Sequence, residues 1–322
     1  MKQRIEWLDV MKGILILFVI LSHNYPSFIY RRFFTPFFLT MFFFVSGYTF
    51  SVKSNFRDFF KNKCYRLGIP FVILGGIRVS ISCIMFRQDI RESVVDFLLQ
   101  KSCRGDEMWF VSCLITASIL FYFIVNLFEQ QDEKKILALS AGISLLGLFD
   151  ICALKIKFIW EFEIACMMLF YMALGFYCRK KDVLNYWIIQ HQKVILCLGG
   201  LYILSIISVY NDVDIHAERI SNPVMFVLSS LIVVLPLVWI SQWLSKRKVK
   251  KILIFLGQNT LFYYAFSGIG RILLYGVMQR VGIIPDLYIA PVVCTAISAL
   301  LLAYPAMLVK KYVPWMMGIP CN

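Results

Sequence analysis

Stretches of about twenty apolar residues recur ten times along this chain, each long enough to cross the roughly 30 Å hydrocarbon core of a bilayer as a helix. They fall at 5–24, 33–52, 67–86, 109–128, 136–154, 159–178, 190–210, 223–244, 252–274 and 287–309. Inside lipid every backbone N–H and C=O must find a partner within the protein, so such runs become helices rather than open sheet. The expected fold is therefore an all-α, polytopic membrane bundle of about ten transmembrane helices. Composition agrees: 60% of residues are hydrophobic and 16% charged, against about 25% charged in a soluble globular chain. A soluble enzyme, a disulfide-stapled secreted module and a disordered chain are all excluded. The connections are short, so residues 1–322 read as one transmembrane domain with its chemistry inside the bundle or at its mouths.

Charge is distributed as a membrane requires. The net charge is +14, yet no stretch presents a soluble basic surface with interleaved aromatics, and nucleic acid is not an expected partner. Lys and Arg cluster between the apolar runs. With the N-terminus in the cytoplasm they favour the inner segments by roughly two to one, which places both termini there. Lys2 and Arg4 lead into the first run, but Asp9 and Lys12 interrupt it, so no cleavable signal peptide is expected. The ten cysteines include no C-x-x-C pair, and most lie within apolar runs. They read as small core residues, with neither a disulfide framework nor a metal site. The longest connection, 87–108, mixes both charge signs and reads as a solvated loop, with an amphipathic lid as the alternative.

Ionisable residues inside apolar runs carry more information, because each costs something like 2.5–3.5 kcal/mol at mid-membrane. Past Glu6 at its edge, the first run holds Asp9, Lys12 and His23. Lys12 and His23 are eleven residues apart, about three helical turns, so they share a helix face about 16 Å apart along the axis. Asp9 and Lys12 are i and i+3 neighbours on that stripe and can pair. Interfacial anchoring, with Lys12 snorkelling to the headgroups, is the plain alternative for those two. It leaves His23 unexplained. An imidazole exchanges protons near neutral pH, which suits general base work. His191, at the very edge of the seventh run, and His216, between runs, read as ordinary surface residues. An extended pantetheine arm would span the distance from Lys12 to His23.

Four other segments stand out: Phe43-Phe44-Val45-Ser46-Gly47-Tyr48, Arg66-Leu67-Gly68-Ile69-Pro70, Trp109-Phe110-Val111 with Leu114, and Leu256-Gly257-Gln258-Asn259-Thr260-Leu261 with Tyr264. Taken singly, each is compatible with packing or an aromatic belt. Taken in order behind Leu8-Asp9, Lys12-Gly13 and His23, they resemble the acyltransferase 3 family of integral membrane O-acyltransferases, over essentially the whole chain.

That resemblance implies a ten-span core in a bacterial inner membrane. It also implies transfer of an acyl group, most simply acetyl, from acetyl-CoA or another acyl-CoA to a hydroxyl of a cell-surface saccharide or its lipid-linked precursor. No metal is implied. The family bears an Arg eleven residues before an essential His; here Lys12 and His23 stand at those positions, and Lys gives up bidentate recognition for a point charge. The ninth-span pattern commonly ends in a second His, where this chain has Ser267. On this reading His23 is the base or, as acyl-imidazole, the nucleophile. Asp9 holds Lys12 in place, Lys12 and Arg66 bind the anionic donor, and Asn24, Tyr25 and Trp109 are candidates to meet the acceptor or the oxyanion. A transporter or flippase of lipid-linked or acidic metabolites, with Asp9, Lys12 and His23 as a proton relay, is the alternative. It would ordinarily show repeated halves, and none is visible.

Overall fold

A computed structural model describes residues 5–24, 27–51, 55–101, 108–128, 132–208, 210–282 and 288–319. The first third of the chain forms α1 (Glu6–Ser22), α2 (Phe28–Phe34), α3 (Phe38–Tyr48), α4 (Phe56–Lys63), α5 (Ile69–Phe86) and α6 (Ile90–Leu99). The middle forms α7 (Trp109–Leu127), α8 (Glu133–Phe149), α9 (Phe162–Lys180), α10 (Val183–Gln190) and α11 (Gln192–Ser208). A two-stranded antiparallel hairpin follows, β1 (Val213–Asp214) with β2 (Arg219–Ile220). The last third forms α12 (Pro223–Ile232), α13 (Val234–Leu244), α14 (Lys250–Gln258), α15 (Thr260–Arg280) and α16 (Ile289–Tyr312).

Among the described residues, each of the ten apolar runs is mainly helical. Among the described residues, seven helical stretches are long and apolar enough to cross a membrane: Phe28–Tyr48, Phe56–Met85, Trp109–Leu127, Glu133–Leu154, Ile159–Lys180, Pro223–Leu244 and Ile289–Tyr312. The other three runs are special cases. Helices α1 and α11 have 17 residues each, and the ninth run is divided between α14 and α15 at Asn259. Prolines account for two further interruptions. Pro36 lies in the break between α2 and α3, and Pro236 lacks the N–H that would reach Ile232, where α12 gives way to α13.

Helix α1 is the centre of the bundle, packed against α3, α13, α14, α15 and α16. Its residues are apolar almost all round, as befits a helix surrounded by others, and Leu8, Met11, Leu15, Ile16 and Ile20 are buried. Glycines set the closest approaches. A methyl group on Gly13 would collide with the Leu253 carbonyl, and one on Gly257 with the Asp9 carbonyl, so α1 and α14 cross nearly backbone to backbone. Gly47 and Gly175 do the same for α3 and α9, against Met172 and Phe44. Without a hydrophobic drive between helices in lipid, such small-residue seams supply the packing that holds them together.

The segment expected to be a solvated loop is partly helical. Asp89 caps α6 by accepting from the Glu92 N–H at 2.9 Å. Phe97 then stacks on Phe71 of α5 at 4.7 Å, filling the notch that Gly75 leaves open. Mixed charge hid this, because one buried aromatic, rather than a long apolar stripe, docks the helix.

Candidate active site

The Asp9–Lys12 pair forms. Lys12 Nζ lies 2.7 Å from Asp9 Oδ1, with the Asp9 side chain 5% exposed and that of Lys12 28%. The α1–α14 crossing brings a second polar group to this level, since Gly257, which touches the Asp9 backbone, is followed directly by Gln258 and Asn259. Lys310 of α16 donates to Gln258 Oε1 at 2.8 Å. Asn259 is buried at the α14–α15 break, where its Nδ2 donates to the Phe255 carbonyl at 2.7 Å. One turn before Asp9, Glu6 pairs with Lys250 at 3.0 Å.

His23 caps the other end of α1. Its Nδ1 lies 2.7 Å from the Val19 carbonyl. A carbonyl can only accept, so Nδ1 carries a proton, and whenever the ring is neutral its lone pair sits on Nε2. Asn24, fully buried, donates to Thr295 Oγ1 of α16 at 3.0 Å and ties this end of α1 to the bundle. Because α1 is unbroken from Lys12 to Ser22, the two ends stand about 16 Å apart along the axis. Tyr25 lies outside the described residues.

Three of the motifs meet at Phe110. The rings of Phe42 and Phe43 each pack 5.5 Å from it, and its backbone N–H donates to the Tyr264 hydroxyl at 3.1 Å. That bond satisfies a first-turn amide of α7 that no helical carbonyl can reach. The spacing of these segments thus reflects packing of α3, α7 and α15 as much as chemistry. Arg78 of α5 adds a further tie to α15, donating to the Ala265 carbonyl at 3.1 Å.

One expectation requires correction. His216 is not an ordinary surface residue: from the turn between β1 and β2 its ring stacks on Trp109 at 4.8 Å and 18°. Its Nδ1 lies 3.5 Å from Oε1 of the fully buried Glu161. Being in a polar loop made it look solvated, but Val213 and Ile215 beside it are buried and draw the hairpin onto the bundle. His191, in contrast, stacks on Trp187 at the surface of α10 at 4.1 Å. Arg66 is exposed in a π-helical turn, Cys64–Gly68, with its carbonyl against Gly318. The residue turned inward there is Lys63, which donates to Ser118 Oγ of α7 at 3.1 Å.

Glu161 and Lys63 were legible in principle. Both sit in or beside apolar runs, where the cost that singled out Asp9 applies equally. Neither falls mid-run, so position along the chain alone does not separate them from helix-end charges.

The family model for the acyltransferase 3 domain, described as an acyltransferase domain, matches residues 5–308. The chain belongs to the acyltransferase 3 family. The match opens at α1 and closes within α16, so the Lys12 end, the His23 end and the Phe110 junction all lie inside it. This is a membrane acyltransferase, and no curated protein or solved structure matches it.

Proposed function

We propose that this acyltransferase moves an acyl group, acetyl in the simplest case, from acyl-CoA to a hydroxyl of a cell-surface saccharide or its lipid-linked precursor. The observation that carries the reading is the state of His23. With Nδ1 committed to the Val19 carbonyl, Nε2 is the nitrogen that can take the hydroxyl proton as the oxygen attacks the thioester carbon. The C–S bond breaks, the ester forms, and the proton passes to the departing CoA thiolate. The same nitrogen would serve as nucleophile in an acyl-imidazole route.

Lys12, held by Asp9, supplies positive charge for the anionic donor at the opposite end of α1. Gln258, Asn259 and Lys310 add hydrogen-bonding capacity at that level. The exposed Arg66 is a second cation for the donor. Asn24 and Trp109 remain the described candidates for acceptor or oxyanion contact, although Asn24 already spends its amide on Thr295. In this reading the protein sits in a bacterial inner membrane with the Lys12 end toward the cytoplasm, in keeping with the bias of Lys and Arg. No metal takes part.

The test is thiol release from acetyl-CoA by purified protein in lipid nanodiscs, with a glycan acceptor supplied. His23→Ala should abolish transfer while the protein still inserts and folds. Lys12→Ala should raise the donor KM more than it alters acceptor choice. Full activity of the His23 variant would remove the catalytic role, and uptake of a metabolite without thioester consumption would favour a transporter.

A further inference from the structure

Beneath the β1–β2 hairpin lies a second polar cluster that the donor–base arrangement does not use. Glu161 and Glu163 are 0% and 2% exposed, and Asp150 is 8% exposed. Cys113 lies within electrostatic range of both glutamates, and Cys166 within range of Glu163 and Asp150, so the three carboxylates form one group. Gly147 lets α8 touch the Glu163 backbone one turn before Asp150.

The backbone is held in an unfavourable shape here. Trp160 and Glu161 are consecutive non-glycine residues in the left-handed region, φ 59° and 53°, which costs roughly 1–2 kcal/mol per residue. Three hydrogen bonds fix it: Trp160 Nε1 to the Leu98 carbonyl, Thr116 to the Trp160 carbonyl, and the Glu161 N–H to the Gln100 carbonyl. The result turns Glu161 inward instead of toward solvent.

A separate observation points to a ligand. Gln100 is fully buried and its Oε1 has no hydrogen-bond partner among the described residues; the same holds for Asp150 Oδ2. Buried acceptors left unsatisfied cost about 1–3 kcal/mol each, and hydroxyl donors would satisfy them. Against Glu161 stands an aromatic wall, the His216 imidazole stacked on the Trp109 indole, both partly exposed. The hairpin that carries His216 is anchored by Asp212, which accepts from Arg31 of α2 at 3.0 Å and from Arg219 at 2.9 Å. Since α2 directly follows the His23 end of α1, the wall and the base lie at the same end of the bundle.

We propose that Trp109, His216, Glu161 and Gln100 form the acceptor subsite, and that it takes a neutral, hydroxyl-rich sugar ring while rejecting anionic ones. Apolar C–H faces of a pyranose pack on aromatic edges and faces, and its hydroxyls donate to carboxylate and amide oxygens. A uronic acid would bring like charge toward Glu161, Glu163 and Asp150. This assignment rests on the acyltransferase reading but makes its own claim, about which saccharide binds.

The experiment is saturation-transfer NMR on the protein in nanodiscs, with maltotriose and trigalacturonic acid as probes at equal concentration. Maltotriose ring protons should receive saturation and trigalacturonate should stay at background. His216→Ala and Trp109→Ala should weaken maltotriose binding at least about fivefold, the scale of one lost contact. The near-isosteric Glu161→Gln should narrow the gap between the two sugars, a change that a merely structural carboxylate would not produce. Absence of maltotriose binding, equal signals for both sugars, or full binding by a folded His216→Ala variant would overturn the subsite. Thiol release from acetyl-CoA in the same nanodiscs separates the cases: release with no neutral-sugar preference ends this proposal alone, and no release ends the broader one.

Discussion

Gly257→Ala is the most direct probe of how the fold positions the Asp9–Lys12 pair. An added Cβ would stand 2.8 Å from the Asp9 carbonyl carbon and 3.0 Å from the Gly13 nitrogen, with the Asp9 oxygen closer still. Ordinary contact begins near 3.4 Å, so α1 and α14 must part by about 0.6 Å for the carbon alone. Backbone cannot swing aside as a flexible side chain can. Overpacking of this kind costs about 1–3 kcal/mol, and each kcal/mol lowers Tm by about 2–4 °C in a chain of roughly this size. A shift of up to an ångström at a positioning group can cost about 100-fold in rate, so acyl transfer should fall by about tenfold or more. Thermal unfolding in detergent and thiol release from acetyl-CoA read the two effects. Gly13→Ala should behave alike, because it meets the Leu253 carbonyl at the same crossing. Since one separation relieves both clashes, the double variant should cost clearly less than the sum, by about 0.5 kcal/mol or more. Unchanged Tm and activity in either single variant, or strict additivity in the double, would refute the shared-seam argument.

Two other perturbations test the joints around the site. Tyr264→Phe removes the acceptor of the buried Phe110 N–H and should destabilise by about 1–3 kcal/mol, with faster hydrogen exchange at Phe110 as the local readout. Asn24→Ala with Thr295→Val, run as a double-mutant cycle, should return a coupling of about 0.6 kcal/mol, the usual size for one interhelical hydrogen bond in a membrane; a coupling near zero would mean that the 3.0 Å contact contributes nothing to holding the His23 end of α1.

The sequence by itself determined the helical class, the ten apolar runs and the pairing of Asp9 with Lys12. Each of these depends on local spacing: length against bilayer thickness, i to i+3 on one helix, eleven residues for three turns. Helical spacing also made His23 conspicuous, because it falls on the face that carries Asp9 and Lys12; that its ring caps α1 through the Val19 carbonyl is seen only in the structure. What only the tertiary structure decided is which distant residues share a space. Gly257 reads as a small residue in a motif until the Asp9 backbone, some 250 positions away in sequence, is seen against it. Phe110 looks like part of an aromatic belt until Phe42, Phe43 and Tyr264 converge on it. His216 and Glu161 are 55 positions apart, one in a polar loop and one at a helix start, and no periodicity links them. Local pattern fixes which face a residue occupies on its own helix; the partner on that face is chosen by how the helices pack, through glycine seams and hairpin docking that no single segment encodes.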